Sequence, residues 1–466
     1  MNEINKSDLG SVILHSKKNQ ASYGSTEIVT HLIDMVLVGI VIFFYEAEVG
    51  LNIWLIGLAY IIYMIWDAFN DPLVGYLTDK PFKFTKKRGR RFPWMMISYI
   101  PWLISFILIF APPSSDNQWI LFGWLLFTLC LYDFLESIFT VNFFALYPDK
   151  FRDKDERVSV SAFIVYLGFF GIIGAFIIPP MIIKFGDIGS YTLMAVICVV
   201  ISIICWIFMI PGLRDDKENV ERFLVKYGEG LEQQSFFKVL KEALRQKSFG
   251  VFLIMYICYQ SLTALMTGSL FYFVRYVLEG EAIITAILML ALLLGGAISV
   301  PFWMRFNKKT GDNRKVMLTG GIIMVCFAAL MSAFTNLTLV LIIVFIWGMG
   351  LGGYWVMYRV IFGQVIDESI VINEKRREGT YNGVRIFFSR ASGVIQVVTI
   401  ALVHEFTGFS SGASTQSDLA LIGIRLHMGL IPAIIMAIGL LVFWKFYDIT
   451  PEKAEQLKKR IIEMGL

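Results

Sequence analysis

The sequence predicts an all-α polytopic membrane protein, twelve transmembrane helices in two six-helix bundles, and three observations predict it. The first is composition. Of 466 residues, 57% are hydrophobic and only 17% charged, with a mean hydropathy of +0.67, whereas a water-soluble domain carries about 25% charged residues. Too few polar groups remain to coat a soluble globule of this size, which excludes soluble, disordered and nucleic-acid-binding classes. The second is spacing: a membrane-spanning helix takes about 20 apolar residues, and the apolar stretches fall into two sets of six. The third is the distribution of Lys and Arg, which crowds the connections on one side.

Taken in order, residues 1–26 are polar and run straight into a long apolar segment. A cleaved leader would have a short apolar core and a small-residue cleavage site, so a retained cytoplasmic tail is expected. Spans follow near 27–46, 52–77, 93–112, 118–147, 158–184 and 190–211, a first bundle over 27–212. The stretch 213–248, with Arg222, Lys226, Lys238, Lys241 and Arg245, reads as a cytoplasmic linker. A second set lies near 249–278, 283–305, 316–334, 337–366, 380–407 and 420–447, giving a bundle over 249–447 and a charged cytoplasmic tail over 448–466.

Lys and Arg number three in the N-terminal tail, seven between spans 2 and 3, four between 4 and 5, eight in the linker, five between 8 and 9, three between 10 and 11, and five at the C-terminus. These 35 of the 41 fall on one side if the spans alternate, so both termini are expected in the cytoplasm and the protein in the cell membrane. The five cysteines sit inside apolar runs, without metal-ligand spacing or the loop positions of a disulfide framework.

The two halves echo each other after their second span. The first has Gly75, Asp79 and Lys80, then Arg88, Gly89, Arg90 and Arg91; the second has Arg305, Lys308, Lys309, Gly311, Arg314 and Lys315. Glycine allows a tight turn, and the charges can bind the ends of the neighbouring helix. Gly75, Asp79, Arg90 and Arg91 are therefore expected to serve gating. Two six-helix bundles joined by a cytoplasmic linker are the plan of a secondary transporter with a midplane site.

The most informative residues are charges where lipid penalises them. A carboxylate at the centre of a span costs about 2.5–3.5 kcal/mol on insertion scales, so it normally faces a cavity or a partner. Span 1 carries Glu27, Thr30, His31 and Asp34, with Glu27, His31 and Asp34 on one helical face. Glu27 lies either on that face inside the bundle or at the inner membrane edge; His31 and Asp34 are deeper. Span 2 contains Trp66-Asp67-Ala68-Phe69-Asn70-Asp71-Pro72, where Asp67, Asn70 and Asp71 fall at i, i+3 and i+4. Three oxygen-bearing side chains on one face make half a cage for a small hard cation, and Pro72 frees a carbonyl one turn earlier. Two carboxylates this close repel unless a cation or proton lies between them. Span 4 adds Asp133, Glu136, Ser137 and Thr140, with Ser137 a further cation ligand and Glu136 and Thr140 facing a polar solute. The second half is basic instead, with Arg359, Arg385 and Arg390 near Ser389 and Gln396. Acidic spans 1, 2 and 4 are expected to balance basic spans 10 and 11, with Arg385 snorkelling to the surface before Arg390 does.

On these residues the sequence resembles the glycoside-pentoside-hexuronide:cation symporters, the melibiose-permease-like branch of the major facilitator superfamily. The resemblance spans nearly the whole chain. It rests on Tyr23-Gly24, the Asp67–Pro72 run with Gly75 and Asp79, and Gly89-Arg90-Arg91-Phe92-Pro93-Trp94. It continues through Ala145-Leu146-Tyr147-Pro148-Asp149, Asp153-Lys154-Asp155-Glu156-Arg157, Tyr272 to Leu278, and Arg377-Glu378-Gly379-Thr380-Tyr381-Asn382-Gly383. The resemblance implies the major facilitator fold and a coupling cation, Na⁺, Li⁺ or H⁺, at Asp67, Asn70, Asp71 and Ser137. It also implies that Arg390 replaces the span 11 lysine linking cation and sugar sites, which keeps the charge but not the geometry. The family's sugar-binding aspartates become His31 and Thr140, its stacking tryptophan becomes Phe144, and its span 5 arginine becomes Ile164.

The expected function is therefore cation-coupled symport, by Na⁺ or H⁺, of a sugar, glycoside or similar polar solute through alternating access. Solute contacts are expected at His31, Asp34, Glu136, Thr140, Phe144 and Arg390. A lysophospholipid or other amphipathic cargo is the alternative, since a related eukaryotic branch carries lipids. A non-transporting membrane sensor is the third reading. The motifs of metalloproteases and serine hydrolases, HExxH and GxSxG, do not occur, so no enzyme is expected. A monomer without a cofactor beyond its coupling ion completes the expectation.

Overall fold

In a bilayer each backbone N–H and C=O must be satisfied inside its own segment or barrel, and this chain does so with helices. The computed structural model describes residues 14–78, 80, 82, 85–227, 243–374 and 378–464. Among the described residues, twelve helices are long and apolar enough to cross a membrane. They are Lys17–Glu48, Ile53–Thr78, Phe92–Ile109, Gln118–Lys150, Asp155–Ile182 and Ile188–Leu213, then Lys247–Val277, Ile283–Thr310, Asn313–Met331, Leu337–Asn373, Tyr381–Thr407 and Asp418–Phe446, numbered here as spans 1–12. The twelve-span, all-helical expectation holds, with ends that differ from the apolar limits. Span 1 begins at Lys17 rather than near 27 because Ser16 caps its first turn, accepting from the Asn19 amide. Span 10 runs on to Asn373, past the apolar stretch, and carries Glu368 on its extension. A short helix, Pro451–Glu463, follows span 12.

Internal contacts group residues 1–233 and 234–466 into two units. In the first, span 1 packs on spans 5 and 6, span 2 on span 4, and span 3 on spans 4 and 6. In the second, span 7 packs on spans 11 and 12, span 8 on span 10, and span 9 on spans 10 and 12. The same pairings recur six spans later, an internal repeat expressed in packing. Both units close their first span with a π-helical turn, Phe44–Glu48 and Phe273–Val277. There the Val49 amide reaches the Phe44 carbonyl and the Leu278 amide the Phe273 carbonyl, each at 3.0 Å.

The connections after spans 2 and 8 also repeat. Gly89 (φ +97°) and Gly311 (φ +64°) adopt the left-handed conformation that glycine enters without penalty. In each unit an aspartate then receives the next helix's free N–H groups. Asp215 Oδ2 accepts from Arg91 and Phe92 at 3.0 and 2.9 Å, while Asp312 Oδ1 accepts from Arg314 at 2.9 Å. A carboxylate there meets otherwise unpaired donors and the positive end of the helix dipole.

Spans 1 and 5 touch backbone to backbone at Gly171. A Cβ at that position would lie 2.4 Å from the Ile28 carbonyl oxygen, so only glycine permits this approach. The contact fixes the face that span 1 turns toward the interior of the first unit.

Candidate functional site

Span 2 has two faces. Ile65, Phe69, Leu73 and Tyr76 are exposed on one, whereas Asp67 and Asn70 are buried on the other, against span 4. The helix continues through Pro72. Asn70, 1% exposed, is the hub. Its Nδ2 donates to Ser137 Oγ at 2.9 Å and to Asp133, at 2.9 Å to Oδ2 and 3.2 Å to the backbone carbonyl. Ser137 Oγ in turn donates to Asp71 Oδ1 at 2.6 Å. The Asp133 carboxyl stands beside that of Asp67. Asp67, Asn70, Asp71 and Ser137 thus belong to one connected network, and Asp133 completes it.

Two features of the network suit a cation. Two carboxyls in contact, Asp67 and Asp133, need one positive charge, a proton or a metal ion, between them. The amide oxygen Oδ1 of Asn70 is buried and, among the described residues, meets no hydrogen-bond donor, in a place where acceptors are normally paired. Among the described residues no three His, Cys, Asp or Glu side chains are arranged to hold a metal ion. The donors here are mixed, carboxylate with amide and hydroxyl oxygen, which fits a hard, singly charged cation better than a transition metal.

A second cluster joins spans 1 and 4. His31 Nδ1 lies 2.9 Å from the Glu27 carbonyl oxygen and 3.1 Å from Glu27 Oε2, and Thr30 Oγ1 donates to the same Oε2 at 3.2 Å. Glu27 is therefore buried and hydrogen-bonded inside the unit. His31 pairs with Glu27, while Asp34, one turn on, accepts from Tyr132 OH at 2.8 Å through Oδ1. Glu136, Thr140 and Phe144 form a stripe on span 4 at successive turns. The Thr140 hydroxyl donates to the Glu136 carbonyl at 3.0 Å, which leaves its oxygen as an acceptor. Glu136 is half-buried and Phe144 is 62% exposed. The stripe runs from carboxylate to open aromatic surface. Among the described residues no Lys, Arg or His lies in ion-pair range of Asp34, Asp133 or Glu136.

The remaining expected residues stand elsewhere. Arg390 sits where span 11 breaks, between the helices Glu378–Ser389 and Ala391–Thr407. Arg385 donates to Tyr256 OH at 2.6 Å and its guanidinium lies 4.9 Å from that ring's centre. Arg90 and Arg91 face Asp149 at 3.7 and 3.9 Å, and Arg91 also donates to Asn142 at 3.4 Å, tying the start of span 3 to the end of span 4. Gly75 faces Val141, and a Cβ there would meet it at 3.8 Å, an ordinary contact. Asp79, Arg377, Lys238 and Lys241 lie outside the described residues.

Asp133 and Tyr132 were not among the expected ligands. Each stands one turn before one that was, Asp133 before Ser137 and Tyr132 before Glu136. That spacing is readable, but their partners Asn70 and Asp34 come from other spans.

The MFS/sugar transport protein family matches residues 22–451 of the chain. A sodium-dependent lysophosphatidylcholine symporter of Danio rerio is 25% identical over 434 residues, covering 85% of this chain and 79% of that protein. Its human counterpart is also 25% identical, over 437 residues and 76% of its length. A putative glycoside/cation symporter of Escherichia coli is 21% identical over 462 residues, covering 96% and 95%. Among solved structures, a nucleoside transporter superposes with a TM-score of 0.60 over 93% of this chain and all of that one, at 14% identity. That likeness concerns the fold alone.

Proposed function

The chain belongs to the MFS/sugar transport protein family of the major facilitator superfamily, and from that premise we propose that it is a symporter whose cation sits among spans 2 and 4. It is a multi-pass membrane transporter, not an enzyme. The observation that carries the coupling site is the hydrogen-bonded chain Asp71–Ser137–Asn70–Asp133 with the unpartnered Asn70 Oδ1. In this reading Asp67 and Asp71 hold the charge of Na⁺ or H⁺, Asn70 Oδ1 and Ser137 Oγ complete the oxygen shell, and Asp133 orients Asn70. The solute contacts in this reading are His31, Asp34, Glu136, Thr140, Phe144 and Arg390. Gly75, Asp79, Arg90 and Arg91 serve the change of state. Cation and solute raise each other's affinity, a reciprocal coupling free energy.

The solute we favour is sugar-like, as in the glycoside-pentoside-hexuronide branch: the acceptor oxygens of Glu136 and Thr140, with the Asp34 oxygen that Tyr132 does not bind, suit hydroxyl donors. A lysophospholipid is the second reading. It is supported by the lysophosphatidylcholine relatives and by Phe144, which offers open apolar surface one turn beyond Thr140. The grouping of basic residues supports a cell-membrane location with both termini in the cytoplasm.

The test is uptake into proteoliposomes across a panel of sugars, glycosides and lysophospholipids under imposed Na⁺ or H⁺ gradients. Wild type is expected to accumulate one class with one gradient, and Asp67→Asn and Asp71→Asn to lose the gradient's effect. Unchanged cation dependence in both variants would overturn the assignment.

A further inference from the structure

A cavity of about 200 Å³ lies in the second unit, at the end that carries the C-terminal helix. Its walls are the connection between spans 8 and 9, Gln364 of span 10 and the first turns of Pro451–Glu463. The wall includes two acids, Asp312 and Glu455, and two cations, Arg314 and Lys458. These charges do not cancel one another. Asp312 caps span 9 and faces Lys315 Nζ at 3.9 Å, and Glu455 Oε1 is bound by Lys459 Nζ at 2.9 Å. Both acids are thus met by lysines that do not line the cavity.

The lining cations are left over. Among the described residues neither Arg314 nor Lys458 has an acidic partner, and the Nε of Arg314 is buried without an acceptor. Arg314 is also fixed in place, since its Nη2 donates to the Trp444 carbonyl at 3.3 Å and the guanidinium stands 5.9 Å from the Tyr447 ring centre. Gln364 turns its Oε1 to the Tyr447 hydroxyl at 3.5 Å, which leaves its NH₂ as a further donor. A rigid guanidinium, a mobile ammonium and an amide NH₂ around one small space form a set of donors with a net positive charge.

We propose that this cavity binds a net-anionic phosphate group. Tetrahedral oxygens can take the arginine fork and the lysine together. Two sources present that chemistry at a membrane surface, the headgroup of an anionic lipid and a soluble phosphate. Either would cross-link the span 8–9 connection to the C-terminal helix and restrain their relative motion.

Native mass spectrometry of the full-length protein, with phosphatidylglycerol and phosphatidylcholine offered in equal amounts, tests the proposal. Wild type is expected to retain phosphatidylglycerol selectively. Lys458→Gln, on an exposed helical surface, should lower that retention about fivefold, the effect of one basic residue at an anionic surface, and Arg314→Gln with Lys458→Gln should abolish it. A parallel arm adds inorganic phosphate: displacement of the lipid and a matching thermal stabilisation assign the site to a soluble phosphate, and the lack of both assigns it to the headgroup. Equal retention of both lipids with no stabilisation by phosphate would overturn the proposal. So would phosphatidylglycerol and phosphate binding unchanged in Lys458→Gln.

Discussion

Replacing Ser137 by alanine tests the proposed cation site, because one hydroxyl joins Asp71 to Asn70 within it. Ser137 Oγ donates to Asp71 Oδ1 at 2.6 Å and accepts from Asn70 Nδ2 at 2.9 Å. Without it Asp71 loses its orienting donor and the cation loses a neutral oxygen. The bond from Asn70 to Asp133 Oδ2 survives, so the packing of spans 2 and 4 should hold. A hydrogen bond to a charged group is worth about 1.5–3 kcal/mol, which at about 1.4 kcal/mol per decade weakens the cation between about tenfold and a hundredfold. Ligand-linked stability turns this into a melting experiment that needs no knowledge of the solute. An ion at a hundred times its dissociation constant stabilises the fold by about 2.7 kcal/mol, and a hundredfold weaker site leaves about 0.4 kcal/mol at the same concentration. Titrating Na⁺, Li⁺ and pH against wild type identifies the active ion, and the same titration on Ser137→Ala should show about half of its stabilisation gone for a tenfold weaker site and most of it for a hundredfold weaker one. Full stabilisation of the variant would refute the argument, as would a wild type that no ion and no pH change stabilises.

Tyr132→Phe removes the donor to Asp34 and should raise the solute's half-saturation about tenfold, a hydrogen bond to a carboxylate, while leaving cation stabilisation intact; a shift in the cation titration instead would merge the two clusters. Glu368 is buried and accepts from Gln246, Ser248 and Lys453. Glu368→Ala strands the buried Gln246 and Ser248 donors and should cost about 2 kcal/mol in a melting assay, the penalty of leaving buried polar groups unsatisfied; a loss under about 1 kcal/mol, the worth of an exposed pair, would show that the network is not structural. Gly171→Leu drives a side chain into the Ile28 carbonyl and should abolish the folded yield seen by size-exclusion chromatography. Gly123→Ala, with nothing within 4 Å of the new methyl, should elute as wild type does.

Much of the fold was legible because lipid leaves the chain so few options. An apolar stretch of sufficient length in hydrocarbon becomes a helix, since no water is there to satisfy any other backbone. The ends were less legible. Span 1 extends to Lys17 and span 10 to Asn373 because caps and polar extensions continue a helix after the apolar signal has stopped. The two π-helical turns at Phe44 and Phe273 left no mark in periodicity, and only the equivalent hydrogen bonds in both units reveal them.

The candidate site divides in the same way. Spacing along one helix determined by itself that Asp67, Asn70 and Asp71 share a face, and that Glu136, Thr140 and Phe144 share another, because 3.6 residues per turn leave no alternative. Which helix each face meets was decided only by tertiary structure. Asn70 reaching Asp133 and Asp34 finding Tyr132 depend on how spans 1, 2, 4 and 5 approach one another. That approach is set by backbone contacts such as Gly171 against Ile28. Asp215, far along the chain, capping span 3 is the same kind of fact: the free N–H groups at Arg91 and Phe92 demand an acceptor, and only the folded chain determines which residue supplies it.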